Sequence, residues 1–128
     1  MNMVNIIPFE DKYSDRLVEL ESKCFSDPWT KEMFESEFRY GQGRYFLAVD
    51  GGEVVGYAGM WLVLDEGQIT NVAVSPDHRR QGIARALVTQ LIEHTRCAFY
   101  TLEVRAGNTA AVELYRSLGF REAGIRKG

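Results

Sequence analysis

The 128-residue chain has few of the residues that mark a disulfide scaffold, a metal centre or a membrane protein. Its two cysteines, Cys24 and Cys97, form neither a C-x-x-C motif nor a zinc-ligand spacing. No apolar run approaches the roughly 20 residues that a membrane helix needs, and residues 1–10 lack the basic and apolar blocks of a signal peptide. We therefore expect a cytoplasmic protein with no metal, no membrane contact and two ordinary thiols.

Two common phosphate-binding motifs are also missing, namely the Gly-Lys-Ser/Thr of a P-loop and the G-x-G-x-x-G dinucleotide fingerprint. The chain instead has a β-branched run before Pro76, then Arg79 and Arg80, then Gly82, and a helical pattern from Ile83. Free N–H groups and the dipole at a helix start, with a glycine that lets an anion approach, predict a phosphate or pyrophosphate site. The alternative is an ordinary strand-to-helix turn with a solvated basic face.

Length and a hydrophobic fraction of 45% fit a single domain over residues 1–128. Residues 1–40 hold nine acidic and five basic side chains, whereas residues 76–128 hold five acidic and nine basic ones. This imbalance suits an anionic cofactor at the C-terminal part and a cationic partner at the N-terminal part, although small imbalances also arise by chance. Because the basic residues centre on one loop without an aromatic stacking array, we expect no nucleic-acid binding.

Hydrophobic periodicity and turn residues predict an α+β chain with the order β-α-α-β-β-β-α-β-α-β. Asp50-Gly51-Gly52 and Asp65-Glu66-Gly67 are interpreted as tight turns between antiparallel strands, and the helix after Gly82 as a crossover to a further strand of a mixed sheet. Ser14 and Thr30 are predicted helix N-caps. Strands are predicted at 5–9, 45–49, 53–64, 68–75, 98–104 and from 120, and helices at 14–24, after Thr30, at 83–95 and at 108–118.

The segment Arg79-x-x-Gly82-x-Ala84, preceded by Val74-x-Pro76, resembles the acyl-CoA pyrophosphate loop of the GCN5-related N-acetyltransferases (GNAT). The predicted element order is similar to the GNAT fold, in which the strands on either side of the crossover helix diverge and admit the pantetheine arm. The resemblance implies acetyl-CoA as cosubstrate, with the Val72 amide polarising the thioester carbonyl as in an oxyanion hole. The implied cofactor-binding residues are Val72, Ala73, Val74, Arg79, Arg80, Gln81, Gly82, Ile83, Ala84 and Arg85.

Two later segments resemble the ribosomal-protein-alanine N-acetyltransferase subfamily of GNAT. Leu-Glu-Val-Arg followed by Asn at residues 102–108 implies Glu103 as general base, although a glutamate on a solvated strand face is the ordinary reading. Asn108 is implied to bind the pantetheine, and it is equally suited to cap the next helix. The pattern A-x-x-L-Y-x-x-L-G-F at residues 111–120 implies Tyr115 as general acid, where a lone tyrosine would equally be a core residue.

Two further segments resemble the same subfamily. The segment from Phe25 to Thr30 resembles its Pro-Trp segment and implies that Trp29 contacts substrate, although Trp29 is equally suited to be a core aromatic. Residues 119–127 resemble its C-terminal signature, after which members usually continue into a further strand, so we expect that strand to be missing and the chain to be truncated.

The resemblance implies direct acetyl transfer to the N-terminal alanine of a small-subunit ribosomal protein, which would be the basic partner. One alternative is a small-molecule amine acetyltransferase of the same fold. Another is a non-catalytic module that binds acyl-CoA or a partner.

Overall fold

A computed structural model describes residues 4–40, 43–102 and 109–121, and within them five strands form one sheet in the order β1-β2-β3-β4-β5. Strands β4 and β5 are parallel, and the other neighbours are antiparallel. The predicted α+β class and the order of elements as far as the last described helix are confirmed. The strands are β1 (Val4–Pro8), β2 (Gly43–Asp50), β3 (Glu53–Val63), β4 (Glu66–Val74) and β5 (Phe99–Leu102), and the helices are α1 (Ser14–Cys24), α2 (Lys31–Tyr40), α3 (Ile83–Thr95) and α4 (Thr109–Ser117).

Both hairpin turns are present, but the second is displaced from its predicted position. Gly51 and Gly52 have positive φ angles of 59° and 87°, as the predicted tight turn requires. The β3–β4 turn instead uses Leu64 and Asp65, with Leu64 at φ 55°. Gly67 instead lies within β4. A Cβ at this position would be 2.5 Å from the Tyr100 ring, so a larger residue would clash. The glycine reflects close packing rather than a turn, so the prediction of a turn at residues 65–67 was wrong.

The sheet is covered on both faces. Helix α3 packs Leu87, Val88 and Leu91 against one face of the sheet, and these side chains are fully buried. Helices α1 and α2 pack against the other face, where Leu17 and Phe34 are fully buried. Within the described ranges, no helix is both long enough and apolar enough to cross a membrane.

The two predicted N-caps have different outcomes. Thr30 Oγ1 accepts the Met33 N–H at 3.2 Å, which confirms Thr30 as the cap of α2. Ser14 is the first residue of α1, with helical φ and ψ of −53° and −47°, and Tyr13 occupies the cap position. A short 3-10 helix at Asp11–Tyr13 leads directly into α1, so the backbone is already helical at Ser14 and Ser14 is not the cap.

The C-terminal elements are shorter than predicted where they are described. Ala98 precedes β5, and its N–H donates to the Asp65 carbonyl at 2.9 Å. Gly119 has φ 99° after the end of α4, as predicted for a C-terminal glycine. Phe120, where a last strand is predicted to begin, belongs to no regular element. Residues 103–108 and 122–128 lie outside the described residues, so the ends of the predicted strands and Asn108 fall there.

Candidate active site

Strand β4 has two described neighbours along its first half and one along its second half. From Glu66 to Ile69 it pairs with β5, and no pairing with β5 is described beyond that point. On the β3 side, Ile69 pairs with Met60 but Asn71 pairs with Gly59, so Thr70 is an extra residue in β4. Such a bulge increases local twist and redirects the strand. In the described part of the chain, the second half of β4 therefore has one edge paired with β3 and one open edge.

The backbone groups of Val72 and Val74 lie on this open edge. The Ser75 N–H donates to the Val55 carbonyl in β3 at 2.8 Å. Because backbone groups alternate in direction along a strand, Ala73 also faces β3, whereas Val72 and Val74 face the other way. An open row of N–H and C=O groups can pair with an extended ligand. Both valine side chains pack on the α3 core, so their core role and a backbone role in binding are compatible.

The segment between β4 and α3 has an unusual backbone conformation. Arg80 and Gly82 have left-handed φ angles of 65° and 78°, and Gly82 occupies the cap position of α3 without a side-chain cap. The first intrahelical bond runs from the Ala86 N–H to the Gly82 carbonyl. The three preceding N–H groups consequently lack intrahelical partners. They belong to Ile83, Ala84 and Arg85.

These groups fit a pyrophosphate. The side chains of Arg79, Arg80 and Gln81 are exposed around the same loop. Positive side chains, free helix N–H groups and a glycine backbone together form the kind of cradle that binds phosphate groups. The Nε of Arg79 donates to the Val74 carbonyl at 3.2 Å, which ties the loop to the open edge of β4.

The side chain of Arg85 does not point into this loop. Its Nη2 donates to the Ser117 hydroxyl on α4 at 2.5 Å, and that hydroxyl donates to the Leu114 carbonyl at 2.6 Å. Arg85 therefore brings its backbone N–H to the predicted pyrophosphate site, while its guanidinium links α3 to α4.

Tyr115 lies half-buried on α4, against the core that α3 covers. Its ring meets Phe120 edge-on, with centroids 5.8 Å apart. Burial raises the pKa of Tyr115, so the phenol remains protonated at neutral pH. The other predicted catalytic residue, Glu103, lies outside the described residues, as does Asn108.

Trp29 occupies the loop between α1 and α2. Its ring is half-buried and lies 5.2 Å from the Phe34 ring, which fits the core-aromatic alternative. Its backbone N–H donates to Glu21 Oε2 at 3.0 Å. The other Glu21 oxygen accepts the Tyr57 hydroxyl at 2.6 Å, and Glu21 is only 2% exposed.

Sequence reasoning missed both Glu21 and Tyr57. The burial of Glu21 could have been predicted from its spacing, because it follows Leu17 by four residues and therefore shares the apolar face of α1. A charged residue in such a stripe needs a buried partner, and Tyr57 supplies one.

The described residues offer no metal site and no cysteine pair. No group of three or more His, Cys, Asp or Glu side chains lies close enough to hold a metal ion in those ranges. Cys24 and Cys97 are free thiols. Burial raises the pKa of Cys24, although nearby Arg79 partly opposes this effect.

The mixed sheet, the open edge of β4 and the basic loop before α3 define an N-acetyltransferase of the GNAT type. The model of the acetyltransferase (GNAT) family matches residues 14–120, and the chain belongs to this family. The family uses acyl-CoA.

Two relatives and one solved structure are similar to most of this chain. The [ribosomal protein bS18]-alanine N-acetyltransferase of Escherichia coli is 40% identical over 114 residues, which cover 84% of this chain and 74% of that protein. The N-alpha-acetyltransferase RimI of Mycobacterium tuberculosis is 36% identical over 120 residues, covering 89% and 76% respectively. A crystal structure of the Escherichia coli enzyme matches with a TM-score of 0.88 and 37% identity, over 98% of this chain and 82% of that one. The chain is a homologue of these N-acetyltransferases.

Proposed function

We propose that this chain is an acetyl-CoA-dependent N-terminal acetyltransferase whose substrate is the N-terminal alanine of ribosomal protein bS18. The observation that carries the proposal is the 40% identity to an enzyme of that activity over 84% of the chain. The family match also spans both the basic loop and α4, which hold the predicted cofactor-binding and acid groups.

Acetyl-CoA would supply the acetyl group as a thioester. The free N–H groups at the start of α3 and the exposed Arg80 would bind its pyrophosphate. The extended pantetheine would pair with β4 through the backbone groups of Val72 and the N–H of Val74, because the Val74 carbonyl already accepts from Arg79 and Cys24. The Val72 N–H would then polarise the thioester carbonyl, because a fixed backbone donor stabilises the negative charge that develops on that oxygen.

The transfer needs one base and one acid. The α-amine nitrogen would attack the carbonyl carbon while Glu103, directly or through a water, takes its proton. The carbon–sulfur bond would break, and Tyr115 would return a proton to the departing thiolate. A peptide α-amine has a pKa of about 7.7–8.0, against about 10.4 for a lysine, so a modest base is sufficient for an N-terminal substrate.

We further propose that the acetyl group moves directly from cofactor to amine in a ternary complex. An acyl-enzyme route needs a reactive thiolate. The raised pKa of Cys24 keeps it protonated at neutral pH, and its Sγ donates to the Val74 carbonyl at 3.5 Å. This environment supports a thiol that is not an acyl carrier.

The charge of the N-terminal part agrees with a basic acceptor, because residues 1–40 hold nine acidic and five basic side chains. On α1 and α2 the exposed acidic side chains are matched by the exposed Arg16, Lys23, Lys31 and Arg39, so no single acidic residue of these helices is assigned to the acceptor.

The direct test measures thiol release from acetyl-CoA with a peptide carrying the N-terminal residues of bS18. A matched peptide with a blocked α-amine is the control, and a panel of small amines is assayed in parallel. We expect turnover that disappears when the α-amine is blocked. Turnover on small amines alone would indicate the small-molecule alternative, and acetyl-CoA binding without any turnover would indicate a non-catalytic module.

A further inference from the structure

Glu21 is a buried carboxylate whose two hydrogen-bond donors come from different parts of the fold. Oε1 accepts the Tyr57 hydroxyl from β3 at 2.6 Å, and Oε2 accepts the Trp29 N–H from the α1–α2 loop at 3.0 Å. Both donors are neutral. Glu21, which lies on α1, therefore connects the α1–α2 loop to strand β3.

Packing alone does not explain a carboxylate at this position. A methionine would fill similar space without the cost of removing a charge from water. The two hydrogen bonds to the Glu21 carboxylate constrain the positions of both donors, because each bond fixes a distance and an angle. Glu21 thus holds the loop at a defined position relative to β3.

The sheet end of this bridge lies next to the predicted acetyl-transfer point. Tyr57 pairs with Ala73, which lies between Val72 and Val74 on β4. The hydrogen-bonded connection from the Trp29 N–H through Glu21 to the Tyr57 hydroxyl therefore ends on the β3 residue that lies opposite Ala73, next to Val72.

We propose that Glu21 is a positioning residue for the acceptor. It holds the α1–α2 loop, with Trp29, at a fixed distance from β4, and so determines how well a peptide N-terminus is accommodated without affecting acyl-CoA binding. This inference rests on the proposed function, because it assigns the loop to the acceptor side of the site.

The kinetic test compares Glu21→Met with Glu21→Gln. Methionine removes both acceptors, and we expect the KM for the peptide to rise about tenfold or more while the KM for acetyl-CoA stays within about twofold. Glutamine can accept the Trp29 N–H through its carbonyl and donate to the Tyr57 oxygen through its amide, so it should restore the peptide KM to within about threefold. Glu19→Gln, on the exposed side of α1, removes the same charge and should change neither KM.

Equal changes in both KM values for Glu21→Met, or no change in either, would overturn the proposal. If Glu21→Met does not fold, Tyr57→Phe removes only one hydroxyl and should give the same split at about threefold. A Tyr57→Phe enzyme with an unchanged peptide KM would then contradict it.

A spectroscopic measurement separates this proposal from the proposed function. Trp29 and Trp61 are the only tryptophans, so Trp61→Phe leaves Trp29 as the single fluorophore. We expect Glu21→Met in that background to increase acrylamide quenching of Trp29, and Glu19→Gln to leave it unchanged. If the wild-type enzyme fails to acetylate the peptide, the proposed function fails, but quenching still tests the loop. Unchanged quenching in Glu21→Met would overturn the positioning role.

Discussion

At the scale of single residues, Tyr115 has the environment that a general acid requires. Its ring is half-buried beside Phe120, and burial raises the pKa of its phenol. The group is therefore protonated near pH 8, where a peptide α-amine becomes available as a nucleophile. Its ring packing and its hydroxyl chemistry are separable, because phenylalanine keeps the first and removes the second.

We expect Tyr115→Phe to lower kcat by about 10²-fold with little change in acetyl-CoA affinity, since proton transfer by a positioned acid contributes at least that much. Steady-state kinetics and calorimetric titration measure the two quantities. Tyr13→Phe, on the 3-10 turn before α1, is the matched control. A Tyr115→Phe enzyme with near-normal kcat would remove Tyr115 from the mechanism.

The left-handed backbone conformation of Gly82, before α3, can also be tested by a single substitution. Its φ is 78°, and a Cβ added there would meet no atom within 4 Å. An alanine therefore causes backbone strain of about 1–2 kcal/mol without a clash. We expect Gly82→Ala to weaken acetyl-CoA binding about tenfold as the loop relaxes.

Gly51→Ala is the control for Gly82→Ala, because Gly51 has a φ of 59° and equally open surroundings in the β2–β3 turn. It should lower the Tm without changing acetyl-CoA affinity. Equal affinity losses in both variants would show that the effect at Gly82 is global rather than local.

Backbone features that depend on local chemistry were the easiest to predict. The order of Arg80 and Gly82 along the chain predicted a phosphate-binding loop at a helix start, and both residues precede α3 with left-handed φ angles. Their binding of the cofactor stays a prediction. The roles of Glu21 and Gly67 could not be assigned in this way. Their reasons lie in Tyr57 and Tyr100, which are more than 30 residues away in each case.

At the scale of elements, α4 is connected to the cofactor helix by a side-chain bridge. Arg85 on α3 donates to Ser117 at the end of α4, two residues beyond Tyr115. Both side chains are exposed, so the bridge contributes about 0.5–1 kcal/mol. Its importance is positional, because it orients the helix that carries the proposed acid.

We expect Arg85→Ala and Ser117→Ala each to lower kcat about threefold, and the double variant to lower it no further. Ser117→Ala should leave acetyl-CoA affinity unchanged. Additive losses in kcat would show that the two side chains act separately. If only Arg85→Ala weakens acetyl-CoA binding, the guanidinium of Arg85 contacts the pyrophosphate rather than acting only through Ser117.

The helices and hairpins were predictable because hydrophobic periodicity and tight-turn residues are local signals. The bulge at Thr70 was not, since nothing in the sequence around it differs from an ordinary strand. The bulge lies next to Ile69, where the described pairing with β5 stops because β5 is described only as far as Leu102. The divergence of these two strands was implied by the resemblance to GNAT and stays a prediction.

At the scale of the whole molecule, two buried tyrosines and the half-buried Tyr115 link stability to pH. Burial is the largest cause that raises the pKa of Tyr45, Tyr57 and Tyr115. In the unfolded chain each tyrosine titrates near pH 10. The folded protein therefore retains protons that the unfolded chain loses, so this stability is complete below about pH 10 and is lost as pH rises toward the folded pKa values.

We expect the Tm to fall steeply above about pH 10, with the tyrosinate absorbance of these three side chains appearing together with unfolding. Tyr57→Phe should make the alkaline decline shallower, because its hydroxyl can no longer ionise in the unfolded chain. Complete tyrosine ionisation near pH 10 in a protein that remains folded would contradict the burial described for these side chains.

The central claim concerns where the acetyl group goes, and mass spectrometry of intact bS18 incubated with this enzyme and acetyl-CoA tests it most directly. The account predicts one acetyl group per bS18 molecule, located by fragmentation on the α-amine of the N-terminal alanine, and an initial rate of acetylation about 10²-fold lower with Tyr115→Phe. Acetylation confined to lysine side chains, or unmodified bS18 beside active turnover of a small amine, would contradict it.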